Sequence, residues 1–381
     1  MATGLLHTGH VRTVGVEEEL LLVEPGTGHA LAVAHQVIAD VRAHGAVGRA
    51  GEPGGRLVHE MAEQQVEINS RPHTNLTVLE EELRAWRHRA VTSAHSAGAE
   101  VAALATYPAE VRPQVAGSAR YEDMVDRFGL TGRQHMTSGC HVHVGVGSRE
   151  EAVGVVDRIR VWLPALLSLS ANSPFWQGED TGFASFRCQL MLRWPSAGPT
   201  ELFGSAAAYD AVVARMVETG VLLDGGMVYF EARASHRFPT VEIRAADVCL
   251  DVADTVLVAA LCRGLVETAA QAWAAGEPPA PVPVALLRLA TWRASHDGLE
   301  GELLDPFTAS PRPAADVVAA LLEHVGPALR ASGDEALATE RLAAVLARGT
   351  GARRQRAILR RTGSLAAVVA DAARVTAGEA G

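Results

Sequence analysis

Alternating apolar and polar residues predict several β-strands in the first two-thirds of the chain. Successive side chains of an extended strand point to opposite faces, so a period of two marks a strand with one covered face. The clearest example is SGCHVHVGV at residues 138–146, where two histidines alternate with valines. The predicted strands, bounded by turn residues, are 13–24, the last part of 59–70, 100–106, 138–146, 227–235 and 240–247.

Apolar residues at a helical period predict helices between and after these strands. The first predicted helices are 33–44, 75–98 and 149–171. Asn75 is the predicted N-cap of the second, because its short side chain can accept a bond from the first helical turn. The segment ANSPFWQGEDTGFASFR then predicts turns followed by a strand. From about residue 250 the pattern predicts almost continuous helix, broken at 277–284 and 297–313.

This order of elements predicts an α+β fold with a largely antiparallel sheet flanked by helices and a helical C-terminal third. Few strands alternate with single helices, and no glycine-rich phosphate loop follows the first strand, which argues against a Rossmann or P-loop fold. We expect a single catalytic domain over residues 11–375. Its sheet-bearing core would span about 11–250 and its helical part about 251–375.

Composition and charge narrow the class of function. The 381 residues are 48% hydrophobic with a net charge of −10, which is typical of a globular protein and argues against a nucleic-acid-binding surface. The four cysteines show neither zinc-site nor disulfide spacing. With no leader-like start and no apolar run of roughly 18 residues, we expect a soluble cytoplasmic protein without a membrane partner. Small-molecule substrates fit this composition, and homo-oligomerisation stays open.

Polar side chains two residues apart occur on four of the predicted strands. The pairs are Glu17 with Glu19, Glu67 with Asn69, His141 with His143, and Glu242 with Arg244. One such pair is ordinary on the wet face of an antiparallel sheet. If the four strands are neighbours, however, several carboxylates and an imidazole crowd one face. Like charges at that density are costly unless cations lie among them.

The types of side chain indicate which cation would be bound. Oxygen-rich sites with one or two nitrogen ligands suit Mg²⁺ or Mn²⁺, and Mg²⁺ commonly bridges protein carboxylates to phosphates. Zinc would require more histidine or cysteine. Arg244 lies beside these carboxylates in sequence and can clamp a phosphate. The pattern therefore predicts a divalent-metal site that handles phosphate, such as that of ATP.

Seven stretches in a consistent order carry a resemblance to a known family. They are VGVEEELLLVEP, HEMAEQQVEIN, ARYEDMVDRFG, GCHVHVGV, SANSPFWQGEDTGFASFR, RASHRFPTVEIRAAD and HDGLEGELLDP. From about residue 11 to about 315 the chain resembles the carboxylate–amine ligases of the glutamate–cysteine ligase type 2 (YbdK-like) family. The resemblance implies a glutamine-synthetase-like fold, in which a curved antiparallel sheet holds ATP and two or more Mg²⁺ ions.

The resemblance also assigns roles to residues of this chain. The metal ligands that it implies are Glu17, Glu19, Glu60, Glu67, His143 and Glu242. Catalytic roles fall to His141, Arg233 and Arg244, and we expect Arg187 and Arg233 to bind substrate carboxylates. Tyr107 replaces a histidine expected in ATYP, and Gly182 lies where an arginine is common. Both departures lie in loops expected to shape the substrate pocket, so they bear on specificity.

The implied activity is ATP-dependent formation of an amide bond through an acyl phosphate, with weak γ-glutamylcysteine synthesis as the usual assignment. Such a reaction relies on positioning and charge neutralisation and needs no protein nucleophile. Three alternatives stay open at this point. The first is a ligase that joins another amino acid or amine in specialised metabolism. The second is a metal-dependent hydrolase that uses the same His/Glu cluster. The third is a non-catalytic relative that binds a nucleotide or metabolite.

Overall fold

The computed structural model describes residues 11–44 and 54–379. Numbered in chain order, the strands are β1 Val14–Val23, β2 Arg56–His59, β3 Gln65–Asn69, β4 Glu100–Ala102, β5 Gly139–Gly145, β6 Phe175–Trp176, β7 Glu179–Asp180, β8 Ala232–Ala234, β9 Thr240–Asp247, β10 Glu302–Leu304 and β11 Pro311–Pro313. The helices are α1 Ala34–Ala43, α2 Leu76–Ser96, α3 Ala119–Phe128, α4 Leu130–Arg133, α5 Arg149–Ile159, α6 Leu163–Ser170, α7 Phe186–Met191, α8 Ala206–Glu218, α9 Val252–Ala274, α10 Val284–Asp297, α11 Ala314–Ser332, α12 Glu335–Arg348, α13 Gly351–Thr362 and α14 Leu365–Thr376.

One antiparallel sheet organises the described part of the chain. Its strands run in the order β2-β3-β1-β5-β9-β8, and β4 pairs with the last residues of β1. Strand β1 lies between β3 and β5. Successive side chains of its first half point to opposite faces of the sheet. Its apolar second half is buried on both faces. The α+β class and the antiparallel sheet predicted from the sequence are confirmed.

Helices cover one face of this sheet and leave the polar residues on the other. Val16, Val142 and Ile243 come from three neighbouring strands and belong to one buried apolar cluster with α9. Helix α9 packs against α2, α5, α11 and α12 as well as β5, and it is apolar nearly all round, as a helix buried on all sides must be. None of the described helices is long and apolar enough to cross a membrane.

A buried ion pair attaches β1 to the helical layer. Glu18 is fully buried on the helix side of the strand, between Glu17 and Glu19 on the opposite face. Arg87 of α2 donates to both of its carboxylate oxygens, at 2.8 and 2.7 Å, and Thr255 of α9 donates a third bond at 2.6 Å. Two further Arg87 bonds reach the main-chain carbonyls of Leu250 and Cys249, so four of its five N–H donors are used.

Several predicted boundaries are wrong for identifiable reasons. The helix predicted over 149–171 is two helices, α5 and α6, because Pro164 lies in the first turn of α6 and is not tolerated in a helix interior. The strand predicted at the end of ANSPFWQGEDTGFASFR is the short helix α7, preceded by the β6–β7 hairpin. Six residues are too few to show a helical period. Asn75 is confirmed as an N-cap, since it accepts a 2.8 Å bond from the Thr77 amide.

We predict that Arg87→Met destabilises the fold by about 3–5 kcal/mol, because it leaves the carboxylate of Glu18 buried and uncompensated. Urea unfolding of the metal-free protein measures this change. The double variant Glu18→Leu/Arg87→Met is the control, and it should recover much of the loss because it removes both buried charges. A loss below about 1 kcal/mol in the single variant would show that this pair contributes no more than a surface ion pair.

Candidate metal and substrate site

The four polar pairs predicted from the sequence lie on neighbouring strands. Glu17 of β1 is opposite His141 of β5 on one side and Asn69 of β3 on the other. In the same β1–β3 pairing Glu19 is opposite Glu67, and in the β5–β9 pairing His143 is opposite Glu242. The β5–β9 register shifts between Cys140 and Val142, so His141 lies at an irregularity of the kind often found beside active sites.

Glu17, His143 and Glu242 form the first group that fits a metal ion. One ligand atom from each lies within 4.8 Å of the other two. The Nδ1 atom of His143 lies 3.0 Å from the Thr240 hydroxyl, which orients the ring. Its Nε2 atom is buried without a hydrogen-bond partner among the described residues and lies 3.4 Å from Glu17 Oε1. A divalent cation at this point would satisfy that nitrogen.

Glu19, Glu60 and Glu67 form the second group, again with ligand atoms within 4.8 Å of one another. Burial, and then the charge of Glu19, raise the pKa of Glu60 from 4.5 to about 8. Burial and the three neighbouring carboxylates raise the pKa of Glu67 well above its usual range. Glu60 and Glu67 therefore retain protons in the absence of a cation, and a divalent ion would replace those protons.

Two arginines hold Glu242. Arg233 donates to both of its carboxylate oxygens, at 2.7 and 2.9 Å, and Arg244 donates to one of them. Burial would raise the pKa of Glu242, but Arg244 and Arg233 outweigh it and lower that pKa well below the ordinary value. Arg233 also donates to the Val228 carbonyl at 2.9 Å. The guanidinium of Arg233 is thus engaged by Glu242 and the main chain, and its contact with substrate stays a prediction.

His141 lies between the two groups. Its Nδ1 atom is 3.2 Å from Glu17 Oε2, and its Nε2 atom is 3.8 Å from Glu19 Oε1. Burial and the nearby Arg244 lower the pKa of His141, so its imidazole is neutral near pH 7. For Glu17, burial favours a raised pKa, but the adjacent rings of His141 and His143 outweigh burial and lower it. A neutral imidazole therefore lies beside an ionised carboxylate.

Two cavities border these groups. The larger, of about 410 Å³, is lined by Glu17, His143 and Thr240 together with apolar residues such as Val16 and Phe238. The smaller, of about 160 Å³, has a more polar wall formed by Glu19, Glu60, Tyr121, His135, Arg187 and Arg244. Glu17 and His143 of the first metal group line the larger cavity, and Glu19 and Glu60 of the second line the smaller. A group transferred between two bound molecules would pass between the clusters.

Arg187 lies in the wall of the smaller cavity, as expected of a substrate-binding residue. Its Nη1 atom is 3.7 Å from the buried Asp247, which accepts bonds from the Ser173 and Ser185 hydroxyls at 2.7 and 2.8 Å. A Cβ atom at position 139 would lie 2.2 Å from Arg187 Nη2, so Gly139 gives the guanidinium its space. Asp247 is not among the predicted site residues, although it ends strand β9, which carries the E-x-R pair.

Tyr107 does not belong to the site. Its side chain is buried in an apolar cluster with Leu21 and Met136, and its hydroxyl donates to the Gly28 carbonyl at 2.9 Å. It lines neither cavity, and neither does Gly182. The expectation that Tyr107 helps to shape the substrate pocket therefore has no support from these contacts. Its hydroxyl is used inside the fold, which the loop sequence ATYP could not reveal.

The chain matches the family described as Glutamate-cysteine ligase family 2 over residues 13–371. A Streptomyces avermitilis protein provisionally named glutamate–cysteine ligase 2-1 is 52% identical over 368 residues, which cover 97% of this chain and 100% of that protein. A Streptomyces coelicolor protein provisionally named glutamate–cysteine ligase 2 is 50% identical over 366 residues, covering 96% of this chain and 99% of that one.

Two solved structures share the fold at low sequence identity. A glutamate–cysteine ligase from Francisella tularensis in complex with AMP has a TM-score of 0.66 at 14% identity, with 97% of this chain and 89% of that chain covered. A bifunctional glutathione synthetase from Pasteurella multocida has a TM-score of 0.67 at 16% identity, with 97% and 52% covered. The predicted ligase-type fold is confirmed by these similarities.

We predict that Mg²⁺ stabilises the protein more above about pH 8 than near about pH 6. Between pH 4.5 and about 8 the folded protein retains a proton on Glu60 that the unfolded chain has released, so metal-free stability falls as pH rises. A cation binds the deprotonated carboxylates and thus gains affinity over the same window. Thermal unfolding with EDTA or with Mg²⁺ measures this difference, and Glu60→Gln should reduce it. A pH-independent Mg²⁺ shift would contradict the second metal group.

We also predict unequal effects for the two histidines. His143→Ala should lose far more activity than His141→Ala, and raised Mg²⁺ should restore part of the loss because mass action offsets a weakened ligand set. Mn²⁺ titration of both variants separates metal affinity from turnover. Equal losses that do not respond to metal would indicate acid–base catalysis by both rings, and negligible losses in both would remove them from the site.

Proposed function

Because the chain belongs to the glutamate–cysteine ligase family 2, we propose that it joins a carboxylate to an amine with ATP, releasing ADP and phosphate. The observation that carries this proposal is the position of the two acidic groups between two cavities. A hydrolase needs one substrate cavity beside its metal, whereas a ligase must bring a nucleotide and a carboxylate to opposite sides of the same charged centre. Residues 11–375 would act together as one catalytic unit.

The donor set fits divalent cations. Glu17, His143 and Glu242 would hold one ion, and Glu19, Glu60 and Glu67 would hold another. Five of these six side chains are carboxylates, which suits Mg²⁺ or Mn²⁺. The unpartnered Nε2 of His143 and the raised pKa of Glu60 both indicate that protein groups alone leave the site unsatisfied. Bound there, the ions would neutralise the charge of the phosphates.

The larger cavity suits the nucleotide. Its volume of about 410 Å³ lies within the range of small-molecule sites, and its wall combines apolar residues for a base with Arg56 at one side. The Francisella neighbour was solved with AMP, which supports nucleotide use by this fold. We place the phosphates towards Glu17 and His143, because these residues connect the cavity to the acidic groups.

The smaller cavity suits the acid and the amine. Arg187 and Arg244 would hold and orient the acid, since guanidinium groups match carboxylate oxygens. A carboxylate oxygen attacks the γ-phosphorus of ATP, the bond to ADP breaks, and an acyl phosphate forms. The amine then attacks the acyl carbon, phosphate leaves, and one proton is lost from nitrogen. His141 is neutral between the two acidic groups, and we assign it the acceptance of that proton.

Glutamate and cysteine are the first substrates to test, because two relatives that are about half identical carry provisional names for that activity. Another amine partner stays within the proposal. Tyr107 and Gly182, which depart from the resemblance, lie outside both cavities and therefore do not contradict the family pair.

We predict that ADP release requires ATP, a divalent cation, an acid and an amine together. A coupled assay over amino-acid pairs, with products identified by mass spectrometry, measures this. Glu67→Gln and Glu242→Gln should each lower turnover by about two orders of magnitude or more, because each removes a charge from a metal group and keeps its volume. The surface variant Glu340→Gln is the matched control. Hydrolysis of a substrate without ATP, or full activity after chelation, would refute the ligase assignment.

A further inference from the structure

The half-buried His135 and the buried Trp194 form a pair at the wall of the smaller cavity. The Nε1 atom of the indole lies 3.1 Å from Nδ1 of the imidazole. Trp194 is almost fully buried and packs edge-on against His135, Phe128 and Tyr229. His135 comes from the polar loop before β5, and nothing in the sequence pattern distinguishes it from a surface histidine. The proposed mechanism gives this pair no role.

The contact with Trp194 fixes the position of the proton on the His135 ring. An indole Nε1–H can only donate, so Nδ1 of His135 has to accept. In a neutral imidazole the proton then lies on Nε2, which becomes a donor. Burial, and then the charge of Arg187, lower the pKa of His135 to about 4, so the ring stays neutral at physiological pH. The ring therefore presents a neutral donor of fixed position.

The Nε2–H donor of His135 is available to a molecule bound in the smaller cavity. His135 lines the smaller cavity with Arg187 and Arg244, and the bond to Trp194 is the one hydrogen bond of its ring among the described residues. Glu19 and Glu60, with cations, occupy the wall where a carboxylate would be activated. Arg187 and His135 are thus left to contact the part of the acid that is not activated. A neutral donor beside a guanidinium can bind the same anion without adding like-charge repulsion.

On the basis of the proposed ligase function, we propose that His135 is a specificity-determining residue for a dicarboxylic amino acid. Its Nε2–H donates to the carboxylate that is not activated, next to Arg187. Trp194 acts through His135 as a positioning residue, because its indole holds the tautomer that makes Nε2 a donor. An acid that lacks the second carboxylate would gain nothing from this donor.

The competing explanation is that His135 only satisfies the buried indole of Trp194. Two amide variants separate the explanations. In histidine, Nδ1 is bonded directly to Cγ and Nε2 lies one bond further out. His135→Asn therefore keeps an acceptor for Trp194 and removes the donor from the cavity. His135→Gln places an amide N–H near the position of Nε2 and gives up the acceptor near Trp194.

The experiment compares wild type and both variants with glutamate and with 4-aminobutanoate, which keeps the γ-carboxylate and lacks the other. We expect His135→Asn to raise KM for glutamate about ten- to hundredfold, the range for one hydrogen bond to a charged group, with kcat and KM for ATP nearly unchanged. Its kcat/KM for 4-aminobutanoate should equal that of wild type, and His135→Gln should restore much of the KM for glutamate. Normal kinetics in His135→Asn with a defect in His135→Gln would overturn the proposal. Equal losses of kcat/KM for glutamate and for 4-aminobutanoate would also overturn it.

Nuclear magnetic resonance of the His135 ring nitrogens tests the same point without turnover. We expect the Nε2–H tautomer in the free protein, and a shift of the Nε2 signal when glutamate is added with Mg²⁺ and a non-hydrolysable ATP analogue. A proton on Nδ1, or a ring signal that saturating glutamate does not move, overturns the role of His135. A wild-type protein that binds glutamate but forms no ADP with any amine would instead refute the ligase function and leave the His135 contact standing.

Discussion

The ion pair between Glu18 and Arg87 fixes the strand on which the candidate site is built. Three consecutive glutamates in β1 cannot all face the same side, because strand side chains alternate. Glu17 and Glu19 face the cleft, so Glu18 must enter the helical core. A buried carboxylate is tolerated there only because Arg87 and Thr255 satisfy it. A one-residue slip of β1 would exchange these environments and dismantle the site and the core together.

Buried carboxylates on the polar face of the sheet are stabilised in two different ways. Glu242 is neutralised within the protein by Arg233 and Arg244, which lower its pKa. Within the described part of the chain, Glu60 and Glu67 form no ion pair with an arginine, and burial together with the neighbouring carboxylates raises their pKa. The first carboxylate is fixed in its ionised form before any ligand arrives. The second group is stable only with protons or cations, and this property makes it suitable for binding and releasing metal.

Under the proposed function, the two cavities would receive different substrates. The larger cavity is mainly apolar and meets the acidic groups at Glu17 and His143, as a nucleotide with a flat base and a charged tail requires. The smaller cavity is polar, and Arg187 and Arg244 in its wall suit a small acid. The pair of His135 and Trp194 lies at the wall of that second cavity. Its hydrogen bond shows how an aromatic core residue can determine the chemistry of a binding surface.

The local sequence determined the strands and the sides on which their residues face. The two-residue period placed Glu17, Glu19, Glu67, His141 and His143 on common faces, and the succession of motifs identified the family; both depend on short-range geometry that every strand obeys. Only the tertiary structure decided which strands are neighbours, since pairing joins residues more than a hundred positions apart, such as Glu17 with His141. For the same reason only the tertiary structure decided that Arg233 pairs with Glu242, that Tyr107 packs away from both cavities, and that Arg87 compensates Glu18. These outcomes depend on which partner reaches each buried group, and no local pattern contains that information.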